Sequence, residues 1–352
     1  MQLSPILAEL AQYPFTRLDD WRAEARRNGI EPIDFGVGDP REVTPAFIRK
    51  ALVAGIDERS SYPRAVGLPE LREVIAAWLA GRYGVSVDPA VELLPTLGSK
   101  EAIFSFAQVA VGQRRLIAVP EPGYPVYERG ALFAGAEVVT VPLREGSGWL
   151  PDLDAFDRWD ELAVFWVCYP NNPTGATAPL SFYEELAARA REHGFLVCSD
   201  EAYSELWFGE EPVSALQVAD RSNLVVFNTL SKRSSMTGYR SGFVCAPKPI
   251  ADALRAFRPS LGQRHRSSSS VHRSRRGRTS STCSTCARST AASARRCCRC
   301  WPRKACALRV ETRRSSSGSR STAHPRRLPA ACSSTGSCSR RAPSSARQAR
   351  AM

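Results

Sequence analysis

Between residues 40 and 247, short runs of apolar and β-branched residues alternate with stretches of helical spacing. The runs are residues 116–119, 137–141, 162–168, 195–199, 223–227 and 242–245. Most are apolar throughout, as strands buried on both faces are; strict alternation would instead mark a sheet with one wet face. Helical patterns at 100–111, 124–133 and 179–193 lie between them. This alternation predicts an α/β architecture: a mainly parallel central sheet with helices on both faces, and ligands held beyond the carboxyl ends of the strands. A further helical pattern at 18–27, followed by Ile33-Asp34-Phe35-Gly36-Val37, fits a second, smaller domain.

The residues able to do chemistry fall where that architecture would use them. Asn172, Asp200 and Lys232 each follow shortly after a strand candidate. Lys232, in Leu230-Ser231-Lys232-Arg233, can form an imine with an aldehyde cofactor and then shuttle a proton; a solvated surface lysine is the alternative. Asp200 emerges from the end of a buried strand, where a carboxylate can keep a pyridine nitrogen protonated, although a helix N-cap uses aspartate in the same place. Tyr203 can hydrogen-bond a ring hydroxyl or pack as core. Asn172-Pro173 is a restricted turn that can aim the Asn172 amide, or an ordinary polar turn. Leu97-Gly98-Ser99-Lys100 opens a helix whose first amides form an anion site, unless it is merely a capped helix. Arg240, eight residues after Lys232, carries a planar fork suited to phosphate. Tyr124, in Pro122-Gly123-Tyr124-Pro125, offers an aromatic face for a cofactor ring.

In this order and at these spacings, the set resembles the pyridoxal-phosphate aminotransferases of fold type I, class I/II, over roughly residues 35–259. The resemblance implies that family's fold: a large cofactor-binding domain over residues 38–250, and a smaller α+β domain that is mostly missing here. Residues 1–37, an N-terminal arm and part of the small domain, and residues 251–262 would supply what remains of it. The resemblance also implies pyridoxal 5′-phosphate as cofactor, with Lys232 as the Schiff-base lysine and Asp200 as the partner of the pyridinium nitrogen. Asn172 and Tyr203 would meet the ring oxygen, and Tyr124 would stack on the ring. Gly98, Ser99, Lys100, Ser231 and Arg240 would hold the phosphate. Tyr62 would reach the phosphate of a neighbouring subunit, so a homodimer is implied, and Gly38 would approach the substrate carboxylate beside Asn172. Within the family, residues 95–104, 122–130 and 230–243 look like the N-succinyl-diaminopimelate aminotransferases of lysine biosynthesis. That branch moves an amino group between glutamate and N-succinyl-2-amino-6-ketopimelate. Another class I/II aminotransferase, or a lyase using the same cofactor residues, is the alternative.

The formal charge of +13 hides two unlike parts. Residues 263–352 hold 22 Lys and Arg against one acidic residue, Glu311, which leaves 26 basic and 34 acidic side chains in residues 1–262. Three cysteines, Cys168, Cys198 and Cys245, lie in apolar runs and read as reduced core thiols; the other eight lie after residue 262. No run reaches the roughly 18 apolar residues of a membrane span. Met1-Gln2-Leu3-Ser4-Pro5 lacks the regions of a signal peptide, so a cytoplasmic location with no membrane partner is expected.

The basic segment has no Ile, Phe, Tyr or Asp and a single Trp301, a composition that does not pack. It has three readings. One is a nucleic-acid-binding arm, which the acidic body does not favour. Another is a metal site at Cys283, Cys286, Cys297, Cys298 and Cys300, whose spacing lacks the paired knuckles of structural zinc. The third, favoured here, is a reading-frame shift near Gly262: in a frame one base earlier, residues 288–307 permit an amphipathic helix. No metal and no nucleic acid are then expected. In the family a small-domain arginine binds the substrate carboxylate, and no tail arginine can be assigned to it. The chain as written can therefore be an inactive truncated product.

Overall fold

The computed structural model describes residues 4–9, 14–33, 36, 38–56 and 62–262. Every described residue belongs to the first of two compact units, Met1–Cys300. The basic segment, with its cysteines and its three readings, lies outside the described residues.

Seven strands form one sheet: β1 Leu93–Thr96, β2 Leu116–Glu121, β3 Glu137–Pro142, β4 Leu162–Cys168, β5 Leu196–Asp200, β6 Leu224–Thr229 and β7 Gly242–Cys245. Their order is β1-β7-β6-β5-β4-β2-β3. Strands β2 to β6 pair in parallel, whereas β7 runs antiparallel to both β6 and β1. Six strands match the apolar runs of the sequence to within two residues. The seventh, β1, is Leu-Leu-Pro-Thr and was not among the strand candidates. Its proline is tolerated because β1 is an edge strand with one neighbour, so a missing N–H can face outward.

Strand β4 shows why the sheet reads as continuous apolar sequence. All seven of its residues are buried. Phe165 and Val167 join a cluster with Tyr183 and Leu186 of the Leu180–His193 helix. Val164, Trp166 and Cys168 join the opposite cluster with Ile103 and Phe106 of the Ser99–Ala110 helix. Successive strand side chains point to opposite faces, so a strand covered on both faces has no polar positions to spare. Phe106 meets Trp166 and Phe227 edge-on, with ring centroids 6.2 and 5.4 Å apart. Each such buried aromatic contributes roughly 1.5–3 kcal/mol. Helices cover both faces, as expected. The helix predicted at 124–133 begins at Val126 and that at 18–27 begins at Pro14.

Cys168, Cys198 and Cys245 are buried free thiols. Among the described residues no helix is long and apolar enough to cross a membrane, and no group of three or more His, Cys, Asp and Glu side chains is placed to hold a metal ion.

Candidate active site

Because β4, β5 and β6 run in parallel, their carboxyl ends open on one edge of the sheet. A cavity of about 470 Å³ lies there. Ten of the twelve residues singled out in the sequence line it: Gly38, Ser99, Lys100, Tyr124, Asn172, Asp200, Tyr203, Ser231, Lys232 and Arg240.

Asp200 is the last residue of β5, and only 4 % of it is exposed. Its Oδ2 accepts a hydrogen bond of 2.8 Å from Tyr127 Oη, and its Oδ1 accepts one of 3.2 Å from the Ala202 N–H. Burial raises its pKa to about 6, against the two hydrogen bonds that favour the charged form. The chain turns after Asp200 rather than entering a helix, so this aspartate is not a helix N-cap. The adjacent Glu201 is also buried but points away from Asp200: it accepts from Ser214 Oγ at 3.0 Å and from the Ala215 N–H at 2.9 Å. Burial raises it to about 7.

Lys232 lies in the short Leu230–Arg233 helix that follows β6. Thr229 caps this helix by accepting from the Ser231 N–H at 3.2 Å. The Lys232 ammonium is half-buried and donates to the Gly38 carbonyl. Its pKa is lowered, chiefly by desolvation; Asp39 opposes the shift and Arg240 adds to it. A lysine near a second cation and partly out of water yields its proton more readily than a surface lysine.

The start of the Ser99–Ala110 helix is built around Gly98. This residue has φ +76°, and no side chain caps the Ser99–Ala110 helix behind it. A Cβ on Gly98 would lie 2.6 Å from Arg240 Nη2. Gly98 does not line the cavity, therefore, but makes room for the guanidinium that does. A Cβ on Gly242 would lie 3.0 Å from Ser99 N and 2.6 Å from Asn228 O, so the helix start packs directly on the backbone of β6 and β7. Arg240 donates to Leu97 O at 3.0 Å and to Thr237 O at 2.9 Å. Ser231 is buried, its hydroxyl 2.9 Å from Thr229 Oγ1.

Asn172 reaches the cavity because its neighbour Asn171 holds the turn. Asn171 Oδ1 accepts from Thr174 N and Oγ1 at 3.2 and 2.9 Å, and its backbone bonds to Ala176 and Gly175. The Tyr203 phenol lies near Gly38, and burial followed by the Asp200 charge raises its pKa. Tyr62 stands apart from the cavity and is 89 % exposed.

The sequence reading missed Tyr127, Cys168 and Asp39. Tyr127 sits three residues after Tyr124 and meets it edge-on at 5.7 Å, although Tyr124 precedes the helix that begins at Val126. Its ring stacks on Trp166 at 4.8 Å, and burial and Asp200 push its pKa up. Cys168 ends β4 opposite Asp200 in register. Nothing in its sequence context separates it from the other core thiols.

The model of the family "Aminotransferase class I and II" matches residues 30–270. The chain is 40 % identical over 267 residues to an LL-diaminopimelate aminotransferase of Dehalococcoides mccartyi, covering 74 % of this chain and 69 % of that protein. It is 39 % identical over 259 residues to the enzyme of the same name from Aquifex aeolicus, covering 72 % and 67 %. Among solved structures, substrate-bound BacF of Bacillus subtilis is similar with a TM-score of 0.75 and 28 % identity, over 84 % of this chain and 75 % of that one. A probable N-succinyldiaminopimelate aminotransferase of Thermus thermophilus is similar with a TM-score of 0.71 and 28 % identity, over 79 % and 75 %.

Proposed function

The chain belongs to the class I and II aminotransferases, whose cofactor is pyridoxal phosphate, and from this we infer that the Lys232 cavity holds that cofactor and moves amino groups between an amino acid and a keto acid. The observation that supports this best is the set of groups gathered around one cavity: buried Asp200, the Lys232 amine, and Arg240 packed against Gly98 at an uncapped helix start. The residues present fit the group. The absence of a Cβ at Gly98 lets the Arg240 guanidinium sit against the start of the Ser99–Ala110 helix, which brings backbone and guanidinium donors together for a phosphate, and Asp200 offers a carboxylate for a ring nitrogen.

When bound, pyridoxal phosphate supplies an aldehyde that takes up the amino group and a ring that accepts the electrons left at Cα. Lys232 would hold the aldehyde carbon and would move the proton at Cα; desolvation lowers its pKa, which favours the neutral amine that both roles use. Asp200, held by Tyr127 and the Ala202 N–H, would keep the ring nitrogen protonated. Asn172 and Tyr203 would hold the ring through its hydroxyl, and Tyr124 would pack against the ring. Ser99, Lys100, Ser231 and Arg240 hold the phosphate, with Gly98 giving access. Gly38 fits the substrate carboxylate, its carbonyl restraining Lys232. We assign Tyr62 to the phosphate bound in a second copy of the chain, in a homodimer. Residues 38–250 form the cofactor domain in this reading.

For the substrate we propose a diaminopimelate-type amino acid, with glutamate and 2-oxoglutarate as the other pair. The two relatives near 40 % identity carry the unsuccinylated name, and one structural neighbour carries the N-succinyl name. The two readings are separated by following 2-oxoglutarate-dependent amino transfer from LL-diaminopimelate and from N-succinyl-LL-diaminopimelate. Turnover of neither, with turnover of aspartate, would overturn the substrate class while leaving the aminotransferase.

A further inference from the structure

Arg258 lies in the turn Arg258–Leu261 that extends the Lys248–Phe257 helix. It is 1 % exposed. Its two terminal nitrogens form a fork on Glu101: Nη2 donates to Oε1 at 2.8 Å and Nη1 to Oε2 at 3.1 Å. Glu101, in the first turn of the Ser99–Ala110 helix, reaches back so that its Oε1 also accepts the Leu97 N–H at 2.9 Å. The Leu97 carbonyl accepts Arg240 Nη2 at 3.0 Å. Charge-assisted bonds thus run from Arg258 through Glu101 to the Leu97 N–H and, on the other side of the Leu97 Cα, from its carbonyl to the Arg240 guanidinium.

We propose that the Arg258–Glu101 pair is a positioning device for the phosphate cradle: by holding the Leu97 N–H it restrains the backbone of Leu97, whose carbonyl in turn holds Arg240 against Gly98. The inference rests on the phosphate assignment made above. Gly98 is where the backbone is otherwise least constrained: it has positive φ, no side chain and no side-chain cap. A rigid bond on the preceding N–H supplies what the missing N-cap side chain would have supplied, without occupying the first-turn amides. Bidentate geometry matters here, because one point charge would leave the carboxylate free to rotate. Neither Arg258 nor Glu101 lines the cavity, so they are positioning residues, not catalytic ones.

The test compares pyridoxal phosphate with pyridoxal, which lacks the phosphate, binding to the full chain by equilibrium dialysis. Arg258→Gln is expected to weaken pyridoxal phosphate by roughly tenfold or more and pyridoxal by less than about twofold. Arg258→Lys, which keeps the charge but not the fork, falls between. Melting of each cofactor-free variant shows whether it is folded. Should Arg258→Gln not fold, Glu101→Gln carries the test, since it retains an acceptor for the Leu97 N–H and loses the ionic fork. Equal weakening for both ligands, or no weakening for either, would overturn the proposal and leave the pair purely structural. A parent protein without preference for the phosphorylated ligand would overturn the phosphate site itself, and this inference with it.

Discussion

Replacing Tyr127 by phenylalanine removes one buried hydroxyl beside Asp200 and keeps the ring stacked on Trp166. The phenol donates to Asp200 Oδ2 at 2.8 Å, where both residues are buried. Hydrogen bonds to charged groups contribute about 1.5–3 kcal/mol, and one pKa unit corresponds to about 1.4 kcal/mol. Asp200, held at about 6 with this bond in place, should rise by roughly one to two units without it. The remaining bond from the Ala202 N–H, at 3.2 Å, does not replace it. A carboxylate with a raised pKa is charged only at higher pH. Cofactor affinity that depends on charged Asp200 is therefore lost as pH falls through about 6 in the parent, and through roughly 7–8 in Tyr127→Phe. Dissociation constants for pyridoxal phosphate measured from acidic to alkaline pH give both midpoints. The second ionisation of the phosphate and the titration of Lys232 occur in both proteins and cancel in the difference. An unchanged or lower midpoint in the variant would show that the Tyr127 hydroxyl does not act on Asp200.

Gly98→Ala places a methyl 2.6 Å from Arg240 Nη2 at φ +76°. It should cost about 1–3 kcal/mol of strain and weaken pyridoxal phosphate binding sharply, as melting and titration would show. Asp200→Asn is expected to separate stability from binding. The folded-state pKa of Asp200 is raised from 3.8 to about 6, so its charged form destabilises the cofactor-free protein by roughly 3 kcal/mol, fully above that value and not at all below 3.8. Urea unfolding should find the cofactor-free variant more stable than the parent at pH 8 and no more stable near pH 3.5, although it binds cofactor poorly. Sequencing the gene across the codons for residues 260–270 should reveal one missing or extra base; an unbroken frame would mean that the basic segment is genuine.

Much of the site was legible because its parts are short, local devices. A buried parallel strand shows as an unbroken apolar run, and the residue just past its end is where such folds put their ligands. Asp200, Asn172 and Lys232 could be found that way, and the glycine before Ser99 marked the helix start that lines the same cavity. Contacts between segments remote in sequence were not legible. Tyr127 meets Asp200 across 73 positions, and Arg258 meets Glu101 across 157. A tyrosine in a helix or an arginine in a turn has the same local signature whether it faces water or a buried carboxylate. Strand β1 was missed for a different reason: Pro95 argues against a strand until its place at the sheet edge is known. The direction of Glu201, beside Asp200 yet turned from it, depended on Ser214 and Ala215 lying behind the strand.

The role of Lys232 is tested most directly by adding glutamate to the full chain loaded with pyridoxal phosphate, alongside Lys232→Ala. The parent should show the visible absorbance of the covalently held cofactor, lose it on mixing, and release one 2-oxoglutarate per site. Lys232→Ala should show neither the band nor the keto acid. The same band and the same release in both proteins would place the reactive amine elsewhere and contradict the assignment of this cavity.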